Sequence, residues 1–320
     1  MPASPLVSVV IPTKDRNVEV RRAISSALRQ TLGDIEIIVV DDGSTEPVAQ
    51  AVGPHITDPR VRFHRNESAS GPSAARNIGT ELAQGSFVAY LDSDDEWHPT
   101  KLEQQVNALE RRDRNAGLSL CGYEVVSGGR RRARVPREVR AGAVTDLLDT
   151  RREPVVTSCF LLPTTLALQY PFDRALAAYE DLDVAARIST VHDIVTTRSI
   201  LVRKYVSSER QFSGPRIIDA RRALLAKHDA LLRDHPAVLA RNQLTMAVEL
   251  ARVGKSADAV ALVSSIDAGN HSHWMYLARR ARPGAPGGVS RQLDVLRLLE
   301  RFSVSGVLWR AQTSRLRWQA

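Results

Sequence analysis

The sequence has 320 residues, of which 43% are hydrophobic and 25% charged, and its formal net charge is +8. This composition is typical of a water-soluble protein, and the length fits one domain of roughly 200–250 residues with an extension. The two cysteines, Cys121 and Cys159, lie in apolar segments, which predicts buried free thiols and argues against a disulfide framework or a zinc site. No apolar run approaches the roughly 20 residues that a membrane-spanning helix needs.

The N-terminal segment predicts a strand, a loop and a helix. Leu6–Thr13 is a β-branched run containing Pro12, and a helix after Asn17 carries alanine, isoleucine and leucine on one face. A second apolar strand, Ile35–Val40, ends in Asp41 and Asp42 before a turn. Parallel strands joined by helices place their carboxyl ends at one edge of the sheet, which is where open α/β sheets bind ligands.

A third apolar run, Phe87–Leu91, leads directly into Asp92, Asp94 and Asp95. Clustered carboxylates repel one another and raise each other's pKa unless a positive charge compensates them. Mg²⁺ and Mn²⁺ take carboxylate oxygens together with phosphate oxygens, so the cluster predicts a metal-bound nucleotide. The alternative is an acidic helix N-terminus, because a helix is predicted to begin at His98.

Two further segments complete the pattern. Gly71–Gly79 opens a short helix that contains Arg76, with Ile78 and Leu82 on its inward face. Downstream, Tyr170–Asp173 precedes the acid-rich run Tyr179–Asp183.

In this order and spacing, the segments VSVVIPTKDR, IEIIVVDDGST, GPSAARNIG and FVAYLDSDDEW resemble the family 2 glycosyltransferases of the GT-A fold, over about residues 5–212. The resemblance implies an α/β fold with a mixed, mainly parallel sheet flanked by helices. It implies inverting transfer of a sugar from a nucleotide-diphospho-sugar, with a UDP-sugar favoured, to an acceptor hydroxyl. The expected cofactor is Mn²⁺ or Mg²⁺, and the expected setting is synthesis of a cell-envelope polysaccharide or glycoconjugate on a saccharide, lipid-linked or small-molecule acceptor.

The resemblance also implies roles for individual residues. Asp94 is the first candidate metal ligand, with Asp92 as the second. Asp181 is the candidate general base, and Glu180 beside it would raise its pKa. An alternative is that both acids cap a helix in which Asp183 and Arg187 form an i,i+4 pair. The residues expected to bind the donor nucleotide are Pro12, Thr13, Asp15, Asp41, Asp42, Arg76, Asp92 and Ser93.

One segment departs from the family pattern. Leu201–Arg210 has serine where the family commonly has a histidine that reaches the metal or diphosphate. A third protein ligand is therefore in doubt, and Arg203, Lys204 or Arg210 is expected to neutralise the diphosphate instead. The missing histidine is also the only support for an alternative, a catalytically impaired sugar-nucleotide-binding or scaffold protein. A nucleotidyltransferase, the other alternative, would need a glycine-rich loop after the first strand, and Val10–Arg16 has no glycine.

The predicted domains are a catalytic domain at 1–213, a helical extension at 214–281, and a linker with a basic amphipathic tail at 282–320. The positive charge is concentrated in that tail and in the arginine-rich segment 130–140. No motif indicates nucleic acid. Two interpretations remain open, a solvated arginine-rich surface and contact with an anionic membrane. The tail likewise either lies on a membrane, packs on the catalytic domain or dimerises. We expect a cytoplasmic protein, peripheral on the inner face of the membrane under the second interpretation.

Overall fold

A computed structural model describes residues 4–52, 56–111, 115–149, 155–206 and 215–266. The predicted linker and tail at 282–320 lie outside these ranges. The described residues divide into two compact units. The first contains those of 1–147, 152–175 and 180–210, and the second contains those of 148–151, 176–179 and from 211 onward.

Among the described residues, one mixed sheet of nine strands forms the centre of the first unit. The strands are β1 Val7–Thr13, β2 Ile35–Asp41, β3 Val61–Arg65, β4 Phe87–Tyr90, β5 Glu96–Trp97, β6 Ala116–Ser127, β7 Arg130–Arg134, β8 Leu161–Pro163 and β9 Asp193–Tyr205. Their order across the sheet is β3-β2-β1-β4-β8-β6-β9-β5, and β7 pairs with β6 outside this order. The strands β1, β2, β3 and β4 pair in parallel.

Helices connect the strands and cover the sheet. They are α1 Asn17–Leu28, α2 Val48–Val52, α3 Pro72–Glu81, α4 Lys101–Arg111, α5 Thr145–Leu148, α6 Thr164–Gln169 and α7 Glu180–Ile188, with a 3₁₀ turn at Thr157–Cys159. Every residue of β1 and β2 is buried, as expected for parallel strands covered on both faces. The predicted α/β architecture, a mixed sheet flanked by helices, is confirmed.

Helix α3 packs closely on the sheet because of one glycine. A Cβ atom added at Gly79 would lie 2.3 Å from Cγ1 of Val10 on β1, so a larger residue would push the helix away. The predicted inward face is confirmed, since Ile78 and Leu82 pack against Ile38 and other buried side chains. This packing holds the buried Arg76 of α3 close to the carboxyl ends of the strands.

The helix predicted to begin at His98 begins later, at Lys101. The preceding residues, Glu96 and Trp97, form β5 and pair with Arg203 and Val202 of β9. The backbone N–H of His98 also donates to the carbonyl of Leu201 at 2.8 Å. Pairing with a distant strand therefore extends the chain where local sequence predicts a helix.

The second unit is helical in the described residues after 214, as the spacing of its alanines and leucines predicts. Its helices are α8 Pro215–Lys227, α9 Asp229–Arg233, α10 Pro236–Arg252 and α11 Ser256–Ser265. Within this unit, Arg241 donates two hydrogen bonds of 2.9 Å to the carboxylate of Asp149. Among the helices that the structure describes, none has the length and hydrophobicity required to span a membrane.

Candidate active site

Three carboxylates after β4 form the acidic centre of the site. One carboxylate oxygen from each of Asp92, Asp94 and Asp95 lies within 4.8 Å of the others. Asp92 and Asp94 are partly exposed, whereas Asp95 is fully buried. Hard divalent cations prefer clustered carboxylate oxygens, so this donor set fits Mg²⁺ or Mn²⁺.

Basic side chains surround this acidic centre. Arg16 Nη1 lies 2.7 Å from Asp94 Oδ2. Lys204 Nζ lies 3.7 Å from Asp92 Oδ2 and 3.5 Å from Asp95 Oδ2. Burial alone would lower the pKa of Lys204, but the surrounding aspartates outweigh burial and raise it above its ordinary value. Lys204 therefore stays charged and compensates part of the negative charge.

Arg76 joins the acidic centre to the acids of α7. Its Nη2 donates to Asp92 Oδ1 at 2.7 Å, and its Nη1 donates to Glu180 Oε1 at 3.0 Å. The side chain is 6% exposed, and its guanidinium carbon lies 5.2 Å from the ring centre of Phe172. Burial raises the pKa of Asp92, but Arg76 and Lys204 outweigh that effect and leave it below its usual value.

Asp95 is held by the protein on both oxygens. Its Oδ2 accepts a 2.6 Å hydrogen bond from Ser158 Oγ, and its Oδ1 accepts from the backbone N–H of Tyr205 at 3.3 Å. Burial, assisted by the neighbouring aspartates, raises its pKa to about 7 despite the nearby Lys204. Asp95 fixes the turn that presents the other two carboxylates, and Asp92 and Asp94 face the more accessible side.

The acid pair predicted to contain the base opens α7. Burial, followed by the adjacent negative charge of Glu180, raises the pKa of Asp181 to about 7. Arg76 lowers this pKa, but by less than Glu180 raises it. A carboxyl group with a pKa near neutrality can accept a proton at physiological pH. The i,i+4 pair is also present, with Arg187 Nε 2.9 Å from Asp183 Oδ2, so the structural role of this helix does not exclude the catalytic one.

The predicted nucleotide end lies at the carboxyl ends of β1 and β2. Thr13 is 4% exposed, and its buried Oγ1 has no hydrogen-bond partner within the described part of the chain. Asp15 has a left-handed φ of 51° and is held there by two bonds to the next loop. Its N–H donates to Ser44 Oγ at 2.9 Å, and its Oδ1 accepts from the N–H of Thr45 at 2.7 Å. Pro12 and Ser93 are buried.

Asp41 is occupied by the protein itself. Its Oδ1 accepts from the N–H of Ser44 at 2.9 Å, and its Oδ2 accepts from the N–H of Val48 at 3.0 Å and from Arg65 at 2.6 Å. Burial would raise its pKa, but these hydrogen bonds outweigh burial and lower it. Asp41 therefore shapes the loop after β2 and caps α2.

Asp42 binds the loop that leads to α3. Its Oδ1 accepts from Asn66 Nδ2 and from the N–H of Ser70, both at 2.9 Å, and its Oδ2 accepts from the N–H of Gly71 at 2.8 Å. These bonds outweigh burial and lower its pKa. Asp41 and Asp42, at the end of β2, thus hold two different loops at the carboxyl end of the sheet.

Sequence reasoning did not find Ser158 or the pairing of Arg16 with Asp94. Ser158 Oγ also accepts from the N–H of Asp92 at 3.1 Å, and its carbonyl accepts from Trp97 Nε1 at 2.9 Å. A single serine within an apolar segment carries no sequence signal for this role. Arg16 lies in the first motif, but its partner is 78 positions further along the chain.

Residues 8–162 match the family model described as Glycosyl transferase family 2. An uncharacterised glycosyltransferase of Rickettsia bellii is 31% identical over 222 residues, which cover 64% of this chain and 30% of that protein. The Escherichia coli UDP-Glc:α-D-GlcNAc-diphosphoundecaprenol β-1,3-glucosyltransferase WfgD is 34% identical over 122 residues, which cover 38% of this chain and 47% of that protein. The chain thus spans less than half the length of either relative.

Solved structures show the same fold. Staphylococcus aureus TarS 1–349 in complex with UDP-GlcNAc has a TM-score of 0.62 at 18% identity, covering 92% of this chain and 90% of that one. The mannosyltransferase PcManGT from Pyrobaculum calidifontis, in complex with GDP-Man and Mn²⁺, has a TM-score of 0.53 at 16% identity, covering 98% and 81%.

The sheet, with carboxylates gathered at the ends of its strands, has the architecture of the GT-A glycosyltransferases. The ordered motifs and the family model agree over the first half of the chain, where residues 8–162 are similar to glycosyl transferase family 2.

Proposed function

We propose that this chain transfers a sugar from a nucleotide-diphospho-sugar, with a UDP-sugar favoured, to an acceptor hydroxyl with inversion at the anomeric carbon. The observation that carries the proposal is the double contact of Arg76 with Asp92 and Glu180. One buried guanidinium joins Asp92, a proposed metal ligand, to Glu180, whose neighbour Asp181 has a pKa of about 7. A donor bound at Asp92 therefore lies beside a base suited to the acceptor.

The diphosphate end of the donor is assigned to Asp94 and Asp92 as ligands of Mn²⁺ or Mg²⁺. The bound cation would neutralise the charge that develops on the diphosphate as the glycosidic bond breaks. Lys204 already lies against these carboxylates, and its fixed positive charge supports the same end of the donor. The Mn²⁺ in the complex of the mannosyltransferase with the same fold supports a divalent cation.

The nucleoside end is assigned to the ends of β1 and β2. The unpaired Oγ1 of Thr13 is a buried group that a ligand can satisfy. Asp42 accepts a hydrogen bond from the N–H of Ser70, and Asp41 accepts one from the N–H of Ser44. Both acids therefore contribute to the nucleoside end by positioning the loops around it. The proposed donor-binding set is Pro12, Thr13, Asp15, Asp41, Asp42, Arg76, Asp92 and Ser93. The UDP-GlcNAc in the TarS complex and the UDP-Glc in the name of WfgD support a uridine donor.

The transfer step is assigned to Asp181. Its carboxylate takes the proton of the acceptor hydroxyl while that oxygen attacks the anomeric carbon and the bond to the diphosphate oxygen breaks. Attack from the face opposite the leaving group inverts the anomeric centre. Glu180 keeps the pKa of Asp181 high enough for proton transfer, and Arg76 balances the charge of the pair.

The proposed setting is the synthesis of a cell-envelope polysaccharide or glycoconjugate by a cytoplasmic protein. The support is the acceptor in the name of WfgD, GlcNAc-diphosphoundecaprenol. Peripheral contact with an anionic membrane is a further part of the proposal, supported by the net charge of +8.

The test compares Asp181→Asn with the wild type. A panel of UDP- and GDP-sugars with Mn²⁺ is first screened by thermal shift, because a donor at a hundredfold excess over its Kd stabilises the fold by about 2.7 kcal/mol. With the best donor, Asp181→Asn should lower turnover by roughly 10²–10⁴-fold and keep the Kd of the donor within a few fold. Glu81→Gln, which changes an exposed acid at the end of α3, is the control.

Nuclear magnetic resonance of the product gives the anomeric configuration directly. A product with the anomeric configuration of the donor would overturn inversion. A panel in which no nucleotide sugar stabilises the fold would overturn the donor assignment.

A further inference from the structure

Three arginines lie on one face of the hairpin that β6 forms with β7. The register pairs Ser127 with Arg130, Val125 with Arg132, and Tyr123 with Arg134. Side chains alternate between the two faces along a strand. Arg130, Arg132 and Arg134 therefore share one face, and we refer to them as the arginine row.

The arginine row faces the same side of the sheet as Lys204. Strand β6 pairs with β7 on one side and with β9 on the other, and Val125 is opposite both Arg132 and Lys204. Directly opposed residues point to the same face of a sheet. Lys204 reaches Asp92 and Asp95, so this is the face on which the acidic centre lies.

Contacts on the opposite face confirm the alternation. Glu124 Oε1 accepts from Arg203 Nε at 2.7 Å and lies 3.6 Å from Arg131 Nη1. Arg131 thus belongs to the face that carries Glu124 and Arg203, and it already has an acidic partner. It differs from its neighbours Arg130 and Arg132 in the face it occupies, while its residue type and strand are the same.

Two members of the arginine row, Arg130 and Arg132, have no acidic partner among the described residues. Both residues pair through their backbones in the β6–β7 ladder, but in the ranges that the structure describes no side-chain hydrogen bond or ion pair engages either guanidinium group. Arg130 is exposed and Arg132 partly exposed, so both guanidinium groups are accessible. Like charges at alternate positions of a strand repel one another, and an anion between them would relieve that repulsion. Guanidinium groups bind phosphate oxygens through paired hydrogen bonds.

The arginine row lies beside the donor site. Two strand spacings separate Arg132 from Lys204, which places their backbones about 10 Å apart. The donor diphosphate is assigned to the acidic centre, where Lys204 lies. The anion that the row would bind is therefore a second one.

We propose that the arginine row binds the phosphate or diphosphate group of the acceptor, so that the acceptor is an anionic sugar phosphate or diphosphate. This inference rests on the proposed function, because it assigns the second substrate of the same site. Binding of the acceptor phosphate at the row would orient the acceptor on the face of the sheet that carries the acidic centre.

The test uses two synthetic acceptors that share one sugar. The first is GlcNAc-α-1-diphosphate carrying a phenoxyundecyl chain, and the second is octyl α-GlcNAc, which has no phosphate. The double variant Arg130→Gln/Arg132→Gln should lower kcat/KM for the diphosphate acceptor by about tenfold to a hundredfold, the loss expected when hydrogen bonds to a charged group are removed. Its kcat/KM for octyl α-GlcNAc should stay within twofold.

Arg131→Gln is the control for the face, because it removes one guanidinium group from the same strand on the other face, and it is compared with the single variant Arg132→Gln as well as with the double variant. The kcat/KM of Arg131→Gln for the diphosphate acceptor should stay within about twofold of the wild-type value. With donor and free Mn²⁺ kept saturating, inorganic pyrophosphate should inhibit the wild type competitively against the diphosphate acceptor, and this competition should be lost in the double variant. Thermal unfolding checks that both variants fold. The variant Arg130→Gln/Arg132→Lys, which keeps a positive charge at position 132, should have a higher kcat/KM for the diphosphate acceptor than the double variant.

Slow hydrolysis of the UDP-sugar with Mn²⁺, measured without acceptor, separates the two proposals. If hydrolysis is normal in the double variant and both acceptors lose activity equally, the acceptor assignment is wrong while the donor site stands. If the double variant instead loses only its binding to phosphatidylglycerol vesicles and uses both acceptors normally, the row is a membrane contact and the proposal is overturned. If the wild type transfers sugar to neither acceptor and hydrolyses no donor, the proposed function fails.

Discussion

Replacing Glu180 by glutamine should move the pH dependence of transfer to lower pH. Burial and the negative charge of Glu180 raise the pKa of Asp181 to about 7. A base must be deprotonated to act, so wild-type activity should fall as the pH drops through about 7. Glu180→Gln removes the like charge and leaves Arg76, which lowers the pKa of Asp181, without one of its two acidic partners. Both effects lower the pKa of the base.

The size of the effect follows from these charges. Removal of a neighbouring like charge lowers a carboxyl pKa by about one unit or more. At pH 6, a group with a pKa of 7 is about one-tenth ionised, and a group with a pKa of 6 is about half ionised. Relative to its own plateau rate, Glu180→Gln should therefore be about fivefold more active at pH 6 than the wild type.

The assay is UDP release from the best donor and acceptor between pH 5 and 9, at saturating Mn²⁺, with kcat fitted to a single ionisation. Glu81→Gln, an exposed acid at the end of α3, controls for general effects of charge and should keep the wild-type profile. An acid limb that stays in place or moves to higher pH in Glu180→Gln would refute the assignment of Asp181 as the base.

Two further predictions concern stability. Lys101 is fully buried with its Nζ 4.0 Å from the ring centre of Trp97, and its ammonium has no hydrogen-bond partner in the described residues. Burial lowers its pKa to about 8, so folding disfavours the charged form below that pH and the cost disappears as the pH rises from about 8 toward 10.5. Lys101→Met should thus raise the free energy of unfolding by about 2 kcal/mol at pH 7, with the gain shrinking above pH 8, as measured by urea titration. An unchanged or lower stability at pH 7 would contradict this reasoning. Arg76→Met should lower the free energy of unfolding by about 3 kcal/mol, because Glu180 and Asp92 both lose their hydrogen bonds to Arg76 and Asp92 keeps only the longer contact with Lys204, and unaltered urea midpoints would contradict it.

The sequence predicted which carboxylates gather at one edge of the sheet, because each of them lies at or just after the carboxyl end of a strand. Asp92, Asp94 and Asp95 come together because they all follow one strand, β4, within five positions of its end. The acids after β2 reach the same edge because β1 pairs in parallel with both β2 and β4.

The partners of these acids could not be predicted, because they are distant in the sequence. Arg76 contacts Glu180 across 104 positions, and no periodicity relates the two. Three basic residues were expected to replace the missing histidine. The structure places Lys204 at the acids, whereas Arg203 bonds to Glu96 and Glu124, and Arg210 lies outside the described residues. Side chains alternate between the two faces of the sheet along β9, so Arg203 and Lys204 point to opposite faces and only Lys204 reaches the acidic centre.

Asp41 shows a limit of reasoning from motifs. A motif indicates which residues gather at an edge, but the hydrogen bonds of each carboxylate depend on the loops around it. Both oxygens of Asp41 accept from backbone N–H groups, one from Ser44 in the loop after β2 and one from Val48 at the start of α2. A direct bond from Asp41 to a base would therefore have to share oxygens that the protein already uses.

The most direct test of the account is the binding of UDP with and without Mn²⁺, measured by isothermal titration calorimetry on the wild type and on Asp94→Asn. If the carboxylates after β4 hold the cation that binds the diphosphate, Mn²⁺ should strengthen binding of UDP to the wild type by at least about tenfold, or ~1.4 kcal/mol. Asp94→Asn should bind UDP with the same Kd whether or not Mn²⁺ is present. A variant that keeps the full Mn²⁺ enhancement would contradict the assignment of these carboxylates as the metal-dependent donor site.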